Sequence, residues 1–440
     1  MSAPTTTISS LPYELLVAIA VAGQEDRVAE SNWEIRTTTF KSEWTLSQLS
    51  HRFRDVIVGA PALWTLIETD FISEGSVEIL NLYLERSRAS KLSIMLCQQW
   101  SSRAVGERLL LTGTNHIVPH VHRIQRLRIL LEKRWAWDML ALFRDEAAPH
   151  LQHLEIVCAT LDETPLVMFS SGVPRLDFLK IDGFILQSPA AAFALTHLEL
   201  RKDWCIDPAY PTLNQYAALT AQCPLLEYLQ LDVNWVPEEA PRFLIPTLKY
   251  LRISIPGEDA DYLLAVVGIF DAPALTELIF DGTHGDQIAF LLGRKTLPHS
   301  IFPALTSLTF LLRDSCGCES ANENLPSHTI SSPPAIFPAL SRLTLINQCF
   351  TEHLIQDMLG PASHPWPLLK TITLGAVDDS FEKVGAAVED PMDSKRQRGE
   401  PVPEVQLLQL LSRENWSENG PYAERSCSLG KLSSPVSHRT

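Results

Sequence analysis

The sequence of 440 residues lacks the short motifs with which enzymes hold phosphates, nucleophiles or catalytic metals. It contains no glycine-rich phosphate loop, no G-x-S-x-G nucleophile elbow, no H-E-x-x-H and no C-x-x-C. No clustered set of acidic and basic residues takes their place. We therefore expect a protein without catalytic activity. An enzyme whose site lies in residues 376–440, or in the insertions between repeats, is the open alternative.

Cysteine and histidine are present without the spacing of a metal site. The C-G-C of residues 316–318, with His328, lies in a polar insertion and lacks a second ligand pair. Four histidines occur in close pairs without a matching carboxylate or cysteine: His120, His122, His150 and His153. We expect thiols and solvated histidines here, and hence neither a metal nor a cofactor.

Positive charge is also scarce. The chain has 36 Lys and Arg residues against 52 Asp and Glu, a formal net charge of −16 with neutral histidines. A nucleic-acid-binding surface needs a basic footprint, so this balance argues against nucleic acid as a partner. Three basic residues near the C-terminus fit either a nuclear signal or ordinary solvated charge: Lys395, Arg396 and Arg398.

Long apolar runs are missing as well. The run Leu15–Ala22 is far shorter than the ~20 residues that a bilayer-spanning helix needs. No Lys or Arg precedes Arg27, so the charged start of a signal peptide is absent. The eight cysteines have no regular spacing, which favours reduced thiols. We expect a protein of the cytosol or nucleus without a membrane partner, with secretion as the alternative.

What the sequence does contain is one phrase repeated ten times. From Val121 onward the pattern P-x-L-x-x-L-x-L recurs at intervals of 19 to 35 residues. The first apolar residues of the ten copies are Ile124, Leu151, Leu176, Leu195, Leu226, Leu248, Leu275, Leu305, Leu340 and Leu369. This repetition is typical of a leucine-rich-repeat solenoid, and it predicts an α/β fold. An ordinary α/β domain with leucine-rich strands is the alternative.

The repeat also predicts which side chains face a ligand. The last two apolar positions of L-x-x-L-x-L lie two residues apart, so a strand turns both of them inward. The third and fifth positions then project from the concave face. In the first six copies, the residues predicted to bind a protein substrate there are Arg126, Arg128, His153, Glu155, Phe178, Lys180, His197, Glu199, Tyr228, Gln230, Tyr250 and Arg252.

The N-terminal segment predicts a helix that is apolar nearly all the way round. In Leu11–Ala22 (LPYELLVAIAVA), Pro12 and Glu14 suit the first turn. One stripe contains Leu15 and Ile19, and a second apolar set fills the opposite side. Such a helix must be covered on both sides, either by its own chain or by a partner.

The segments that follow give this helix a family context. Trp44–Val58 (WTLSQLSHRFRDVIV) carries a helical apolar stripe, and Pro61–Trp64 (PALW) supplies a turn and a large aromatic residue. With the L-P-x-E-L-L start and the repeats, the chain resembles the F-box proteins of fungi, and of mushrooms in particular. The resemblance covers Leu11–Trp64 and, more loosely, Lys91–Leu374. The connector Gly23–Lys41 is longer and more polar than is usual in that family.

The resemblance implies a small N-terminal all-α F-box bundle followed by an irregular leucine-rich-repeat solenoid. Such a protein is a non-catalytic substrate receptor that links a target to a cullin-type (SCF) ubiquitin ligase through a Skp-type adaptor. The residues expected to contact the adaptor are Leu11, Pro12, Leu15, Leu16, Ile19, Leu46 and Trp64. The alternative is a leucine-rich-repeat interaction scaffold whose F-box no longer engages the ligase.

The predicted domain boundaries follow from these patterns. We expect the F-box at 1–70, a connector helix and strand at 71–120, and the solenoid at 121–375. Residues 376–440 are predicted to be a linker with one possible short helix, Val402–Leu411, and a disordered tail.

Charge and strand parity together predict where a target docks. Arg126 and Arg128, with Lys180 and Arg252 in later repeats, would form a broken basic track on an otherwise acidic protein. That track would suit an acidic or phosphorylated segment. Ordinary solvated strand residues are the alternative.

Overall fold

The computed structural model describes residues 11–30, 42–71, 73–97, 103–131, 137–186, 194–201, 213–233, 236, 240–255, 262–283, 287–288, 291, 302–311, 337–346, 368–399 and 402–410. The chain divides into two compact units, Met1–Leu195 and Thr196–Thr440. The predicted boundaries at 70 and 120 both fall inside the first unit. Within the described ranges, no helix is long and apolar enough to span a membrane.

The first unit begins with three packed helices: α1 (Tyr13–Glu30), α2 (Ser42–Leu49) and α3 (His51–Gly59). The side chain of Ser50 caps α3 by accepting a hydrogen bond from the Phe53 amide at 3.3 Å. A 3₁₀ helix follows at Pro61–Trp64, where proline occupies a first-turn position that needs no N–H donor. The buried core among these helices contains Leu16, Phe53 and Val56.

A parallel sheet makes up the rest of the first unit, with its strands side by side in chain order. The strands are β1 (Leu66–Thr69), β2 (Leu92–Cys97), β3 (Ile124–Leu131), β4 (His153–Leu166) and β5 (Phe178–Leu186). The helices between them are α4 (Glu74–Arg86), α5 (Arg103–Ile117) and α6 (Trp137–Ala141). The connector predicted at 71–120 contains a helix and a strand, α4 and β2. Strand β1 and helix α5 were not predicted.

The second unit contains a longer parallel sheet. Its strands are β6 (His197–Arg201), β7 (Tyr228–Asp232), β9 (Tyr250–Ser254), β11 (Glu277–Asp281), β12 (Ser307–Leu311), β13 (Arg342–Ile346), β14 (Thr371–Val377) and β15 (Glu404–Leu410). A separate parallel pair consists of β8 (Phe243–Leu244) and β10 (Phe270–Asp271). Among the described residues, its helices include α7 (Leu213–Thr220), α8 (Tyr262–Gly268) and α9 (Asp378–Gln397).

The repeated phrase sets the register of this sheet. The fourth position of each copy pairs with the fourth position of the next, as Leu229 does with Leu251, and the sixth positions pair in the same way. From β6 to β14, these columns contain Leu198, Leu229, Leu251, Leu278, Leu308, Leu343 and Ile372, then Leu200, Leu231, Ile253, Phe280, Phe310, Leu345 and Leu374. All are buried. The predicted strand parity is therefore confirmed. We call the side opposite these columns the outer face.

The C-terminal prediction was wrong in two places. Strand β15 lies within the segment predicted as a short helix, Val402–Leu411, and the predicted linker contains α9. Val405 and Leu407 pair with Ile372 and Leu374, so they continue both apolar columns by one strand. Their spacing of two favours a strand. The predicted tail, the C-G-C of 316–318 and His328 lie outside the described residues.

Candidate functional site

Helix α1 has one face in the core and one face open. Leu15 is 51% exposed, whereas Leu16, the next residue, is 1% exposed. Ala20 is buried with Leu16, and Ile19 is exposed with Leu15. An amphipathic helix normally places polar residues on its solvent side. The open face of α1 is instead apolar, which the two stripes of the sequence predicted.

Exposed apolar side chains are concentrated in this part of the first unit. Among its described residues, every large apolar side chain classed as exposed belongs to α1, α2 or α3: Tyr13, Leu15, Ile19, Leu49 and Val58. A Cβ at Gly59 would lie 3.9 Å from the Tyr13 hydroxyl, so the start of α1 lies beside the end of α3. Leu15 and Ile19 are four residues apart and share one face of the helix, which we call the apolar α1 surface. Neighbouring apolar side chains left exposed on one helix face are a feature of interaction surfaces.

The residues predicted to contact an adaptor divide between surface and core. Pro12, Leu15 and Ile19 are exposed, and Leu11 and Leu46 are partly buried against the helical core. Leu16 and Trp64 are buried, so we now assign both to the core. The period of α1 marks two stripes but does not tell which of them faces inward.

Trp64 is held inside by three contacts. Its indole Nε1 donates a hydrogen bond to the Ile57 carbonyl at 2.9 Å. Its ring meets the ring of Tyr83 edge-on, with centroids 5.0 Å apart. The guanidinium of Arg86 lies 4.3 Å from the indole centroid in a cation–π contact. The PALW turn thus anchors the helical segment to α4.

A buried polar group reinforces this junction. The Glu43 carboxylate is 1% exposed and accepts hydrogen bonds from the Tyr83 hydroxyl and from Gln24 Nε2, the latter at 3.1 Å. Gln24 Nε2 also donates to the Leu63 carbonyl at 2.8 Å, and Trp44 Nε1 donates to the Tyr83 hydroxyl at 3.0 Å. These four side chains, the Glu43 cluster, connect α1, α2, the 3₁₀ helix and α4.

On the outer face of the first unit, a histidine, a carboxylate and an arginine lie together. Glu155 on β4 forms an ion pair with Arg128 on β3 at 2.7 Å and contacts His153 Nε2 at 2.8 Å. The His153 ring stacks on Phe178 of β5, with centroids 4.0 Å apart. Lys180 follows on β5 and is only 4% exposed.

The pKa of Glu155 reflects these neighbours. Burial alone would raise the pKa of this carboxyl. The hydrogen bond with His153 and the positive charges of Arg128 and Lys180 outweigh burial and hold the pKa below its usual value. Glu155 is therefore a fixed anion at neutral pH.

The second unit repeats the histidine–glutamate arrangement and extends it into a stack of three rings. His197 Nε2 contacts Glu199 at 3.0 Å, and the His197 ring stacks on Tyr228 with centroids 3.7 Å apart. Tyr228 stacks in turn on Tyr250 at 4.3 Å. Burial is the largest cause that raises the pKa of both tyrosines, so they remain neutral phenols. We call His197, Tyr228 and Tyr250 the ring stack.

Ion pairs neutralise Arg252 and Arg201 on this face, the first between neighbouring strands and the second within β6. Arg252 donates to Asp281 at 2.6 Å, and Arg201 lies 3.5 Å from Glu199. Gln230 is 2% exposed and accepts a hydrogen bond from Arg201 at 3.2 Å.

The predicted substrate row is therefore on the outer face, but it is not a basic track. Arg128 and Arg252 are ion-paired, and Lys180 is buried. Arg126 is exposed, and no ion pair joins it to another described residue. In the described part of the chain, no group of three or more His, Cys, Asp or Glu residues is arranged to hold a metal ion.

Comparisons with known proteins give little context. No protein-family model matches the chain, and no curated protein sequence matches it. Among solved structures, the chain is similar to a Bacteroides fragilis protein determined as a structural genomics target. That match has 13% identity and a TM-score of 0.32, and it covers 70% of this chain and 84% of that one.

Proposed function

We propose that this protein is a non-catalytic substrate receptor of a cullin-type ubiquitin ligase. In this proposal α1–α3 with the 3₁₀ helix form an F-box, and the parallel strands form a leucine-rich-repeat solenoid. The F-box binds a Skp-type adaptor, and the outer face of the repeats binds the target. The protein then acts in the cytosol or nucleus, where that ligase works.

The observation that carries the proposal is the apolar α1 surface. Leu15 and Ile19 lie on a helix whose other face is already packed against the helical core. Exposing them to water is unfavourable by about 25 cal/mol for each Å² of apolar surface. A partner that lays a groove over this helix face would remove that penalty, which is the helix-in-groove mode of recognition.

The outer face supports the second half of the proposal. Aromatic rings at the third repeat position and charged or amide groups at the fifth give a mixed surface, as at many protein–protein interfaces. The ion pairs within it hold those side chains in place before a target arrives.

Co-purification with a Skp-type adaptor tests the proposal. The double variant Leu15→Asp with Ile19→Asp introduces two charges on the open face and should abolish adaptor binding, while thermal unfolding stays cooperative. Leu225→Asp is the matched control, because Leu225 is equally exposed but lies in the second unit. It should bind adaptor as the unmodified protein does.

Two outcomes contradict the proposal. Adaptor binding by the folded double variant would place the contact elsewhere. If the unmodified protein binds no adaptor at all, the interaction-scaffold alternative replaces the ligase receptor.

A further inference from the structure

Tyr250 is the last ring of the ring stack, and among the described residues only one of its two faces is covered by another aromatic ring. Tyr228 covers that face, with ring planes 9° apart. Strand β11 lies on the far side of β9, and Glu277 is the residue in register with Tyr250 there. No described ring stacks on the second face. An aromatic face is electron-rich, so it attracts cations.

The charged side chains around this end of the ring stack are mainly negative, which is the sign that attracts a cation. The outer-face positions of β6, β7, β9 and β11 carry four carboxylates and two guanidinium groups: Glu199, Asp232, Glu277, Asp281, Arg201 and Arg252. Each guanidinium already lies against a carboxylate, Arg201 with Glu199 and Arg252 with Asp281.

Glu277 stands apart from those pairs. It is half-buried, and no described cation forms an ion pair with it. Burial is the largest cause that raises the pKa of the Tyr250 hydroxyl. The charge of Arg252 lowers that pKa and the charge of Glu277 raises it, so Glu277 lies close enough to act on the ring. The ring face and an uncompensated carboxylate therefore lie at the same place on two neighbouring strands.

We propose that Tyr250 and Glu277 form a site for one arginine or lysine side chain of the target protein. This inference rests on the proposed function, in which the outer face binds a target. The planar cation lies on the Tyr250 ring and donates hydrogen bonds to Glu277. Arginine suits the site best, because its guanidinium stacks on a ring and donates two parallel hydrogen bonds to a carboxylate at once.

An acidic or phosphorylated target segment fits the same strands less well. It would need cations that are available, whereas Arg252 is committed to Asp281 and Arg201 to Glu199. It would also bring a negative charge up to Glu277. The target segment at this end of the ring stack is therefore basic.

A peptide array tests the site with the full-length protein. The probes are short random-sequence peptides that contain arginine, each printed beside a copy in which neutral citrulline replaces arginine. The unmodified protein should retain the arginine peptides about tenfold better than their citrulline copies. Glu277→Gln should lose that preference with unchanged thermal unfolding, since glutamine keeps the size of the side chain. Tyr250→Leu should lose it as well.

Glu404→Gln is the matched control, because Glu404 is an exposed carboxylate on the outer face of β15. It should retain the arginine preference. Equal retention of arginine and citrulline peptides by the unmodified protein, a preference unchanged in Glu277→Gln, or selective capture of phosphopeptides would each overturn the inference.

Adaptor co-purification of the same variants separates this site from the ligase function. Glu277→Gln should still bind adaptor. Should the unmodified protein prefer arginine peptides yet bind no adaptor, the cation site stands and the ligase proposal fails.

Discussion

The hydroxyl of Tyr83 on α4 donates a hydrogen bond to the buried carboxylate of Glu43 on α2, 40 residues earlier in the chain. This contact joins the helical segment, for whose open face we propose an adaptor, to helix α4, which precedes β2. With Trp64 packed on Tyr83, it makes the junction a packed element rather than a hinge. In the proposed receptor, an adaptor bound at α1 would thus be held at a fixed position relative to the first strands of this unit.

Tyr83→Phe should therefore destabilise the protein. The substitution removes one donor from a carboxylate that water cannot reach, at a cost of about 1–3 kcal/mol. Chemical denaturation measures the change in the free energy of unfolding. Tyr13→Phe, which removes an equivalent hydroxyl from an exposed ring, serves as the control and should change it by less than about 0.5 kcal/mol. Similar losses in both variants would show that the Glu43 cluster contributes little.

Because α1 has one buried and one exposed face, substitutions of its two neighbouring leucines should differ in their effect on stability. Leu16→Ala creates a cavity in the helical core and should cost ~2–5 kcal/mol. Leu15→Ala should change the free energy of unfolding by about 0.5 kcal/mol or less. Adaptor affinity should fall in Leu15→Ala, provided that the proposed function is correct. A large loss of stability at Leu15 would mean that the open face is covered by this chain itself.

Strand parity in the second unit is tested at Leu229. Leu229→Ala should cost ~2–5 kcal/mol because the side chain belongs to a buried apolar column. Gln230 is not a suitable control, because it is buried and bonded to Arg201. Arg342 is exposed on the outer face, and Arg342→Ala should change the free energy of unfolding by about 0.5 kcal/mol. Thermal or urea unfolding distinguishes the two.

Glu155 predicts a dependence of stability on pH. Its pKa is lower in the folded protein than in the unfolded chain, so its ionised form stabilises the fold. This contribution is complete above the unfolded pKa of about 4.3 and is lost as pH falls through the folded value. The unmodified protein should thus be more stable than Glu155→Gln at neutral pH, and the difference should shrink below about pH 4. A difference that stays constant with pH would contradict the assignment.

Two glycines with positive φ form a matched pair for testing backbone packing. Gly183 has a φ of 89°, and a Cβ there would collide with the Cys158 carbonyl. Gly172 has a φ of 108°, and a Cβ would meet no atom within 4 Å. Gly172→Ala should cost only backbone strain of about 1–3 kcal/mol, and Gly183→Ala clearly more. Comparable unfolding midpoints would show that β4 and β5 can separate without penalty.

Local periodicity accounts for what the sequence predicted correctly. The L-x-x-L-x-L phrase specifies inward and outward positions, and Leu229 and Leu251 occupy the positions it assigns. It also marks β15, since Val402, Val405 and Leu407 repeat the spacing of Leu369, Ile372 and Leu374. That copy lacks the usual proline and leucines at its start, so the sequence predicts a helix there. The pairing with β14 makes it a strand.

Contacts between distant residues account for what was missed. Arg128 and Glu155 lie 27 residues apart, so their ion pair depends on the register between β3 and β4. The predicted basic track counted Arg128 without the anion beside it. The burial of Glu43 was not predictable from the sequence either, because a lone glutamate at a helix start usually faces solvent. Glu43 is enclosed by the packing of α2 against α1 and α4, and these contacts join segments distant in the chain.

The strand pairing of the second unit also determines the order in which its strands unfold. In its described main sheet, whose order is β6-β7-β9-β11-β12-β13-β14-β15, each inner strand is paired with its two neighbours in that order. The Thr306 and Ser341 hydroxyls strengthen this pairing, since each donates to a carbonyl of the preceding repeat. Stability in such an array is close to a sum of neighbour terms. Unfolding can therefore begin at the β15 end and advance strand by strand while the ring stack remains intact. Amide hydrogen exchange would show this as protection that rises from β15 toward the interior strands.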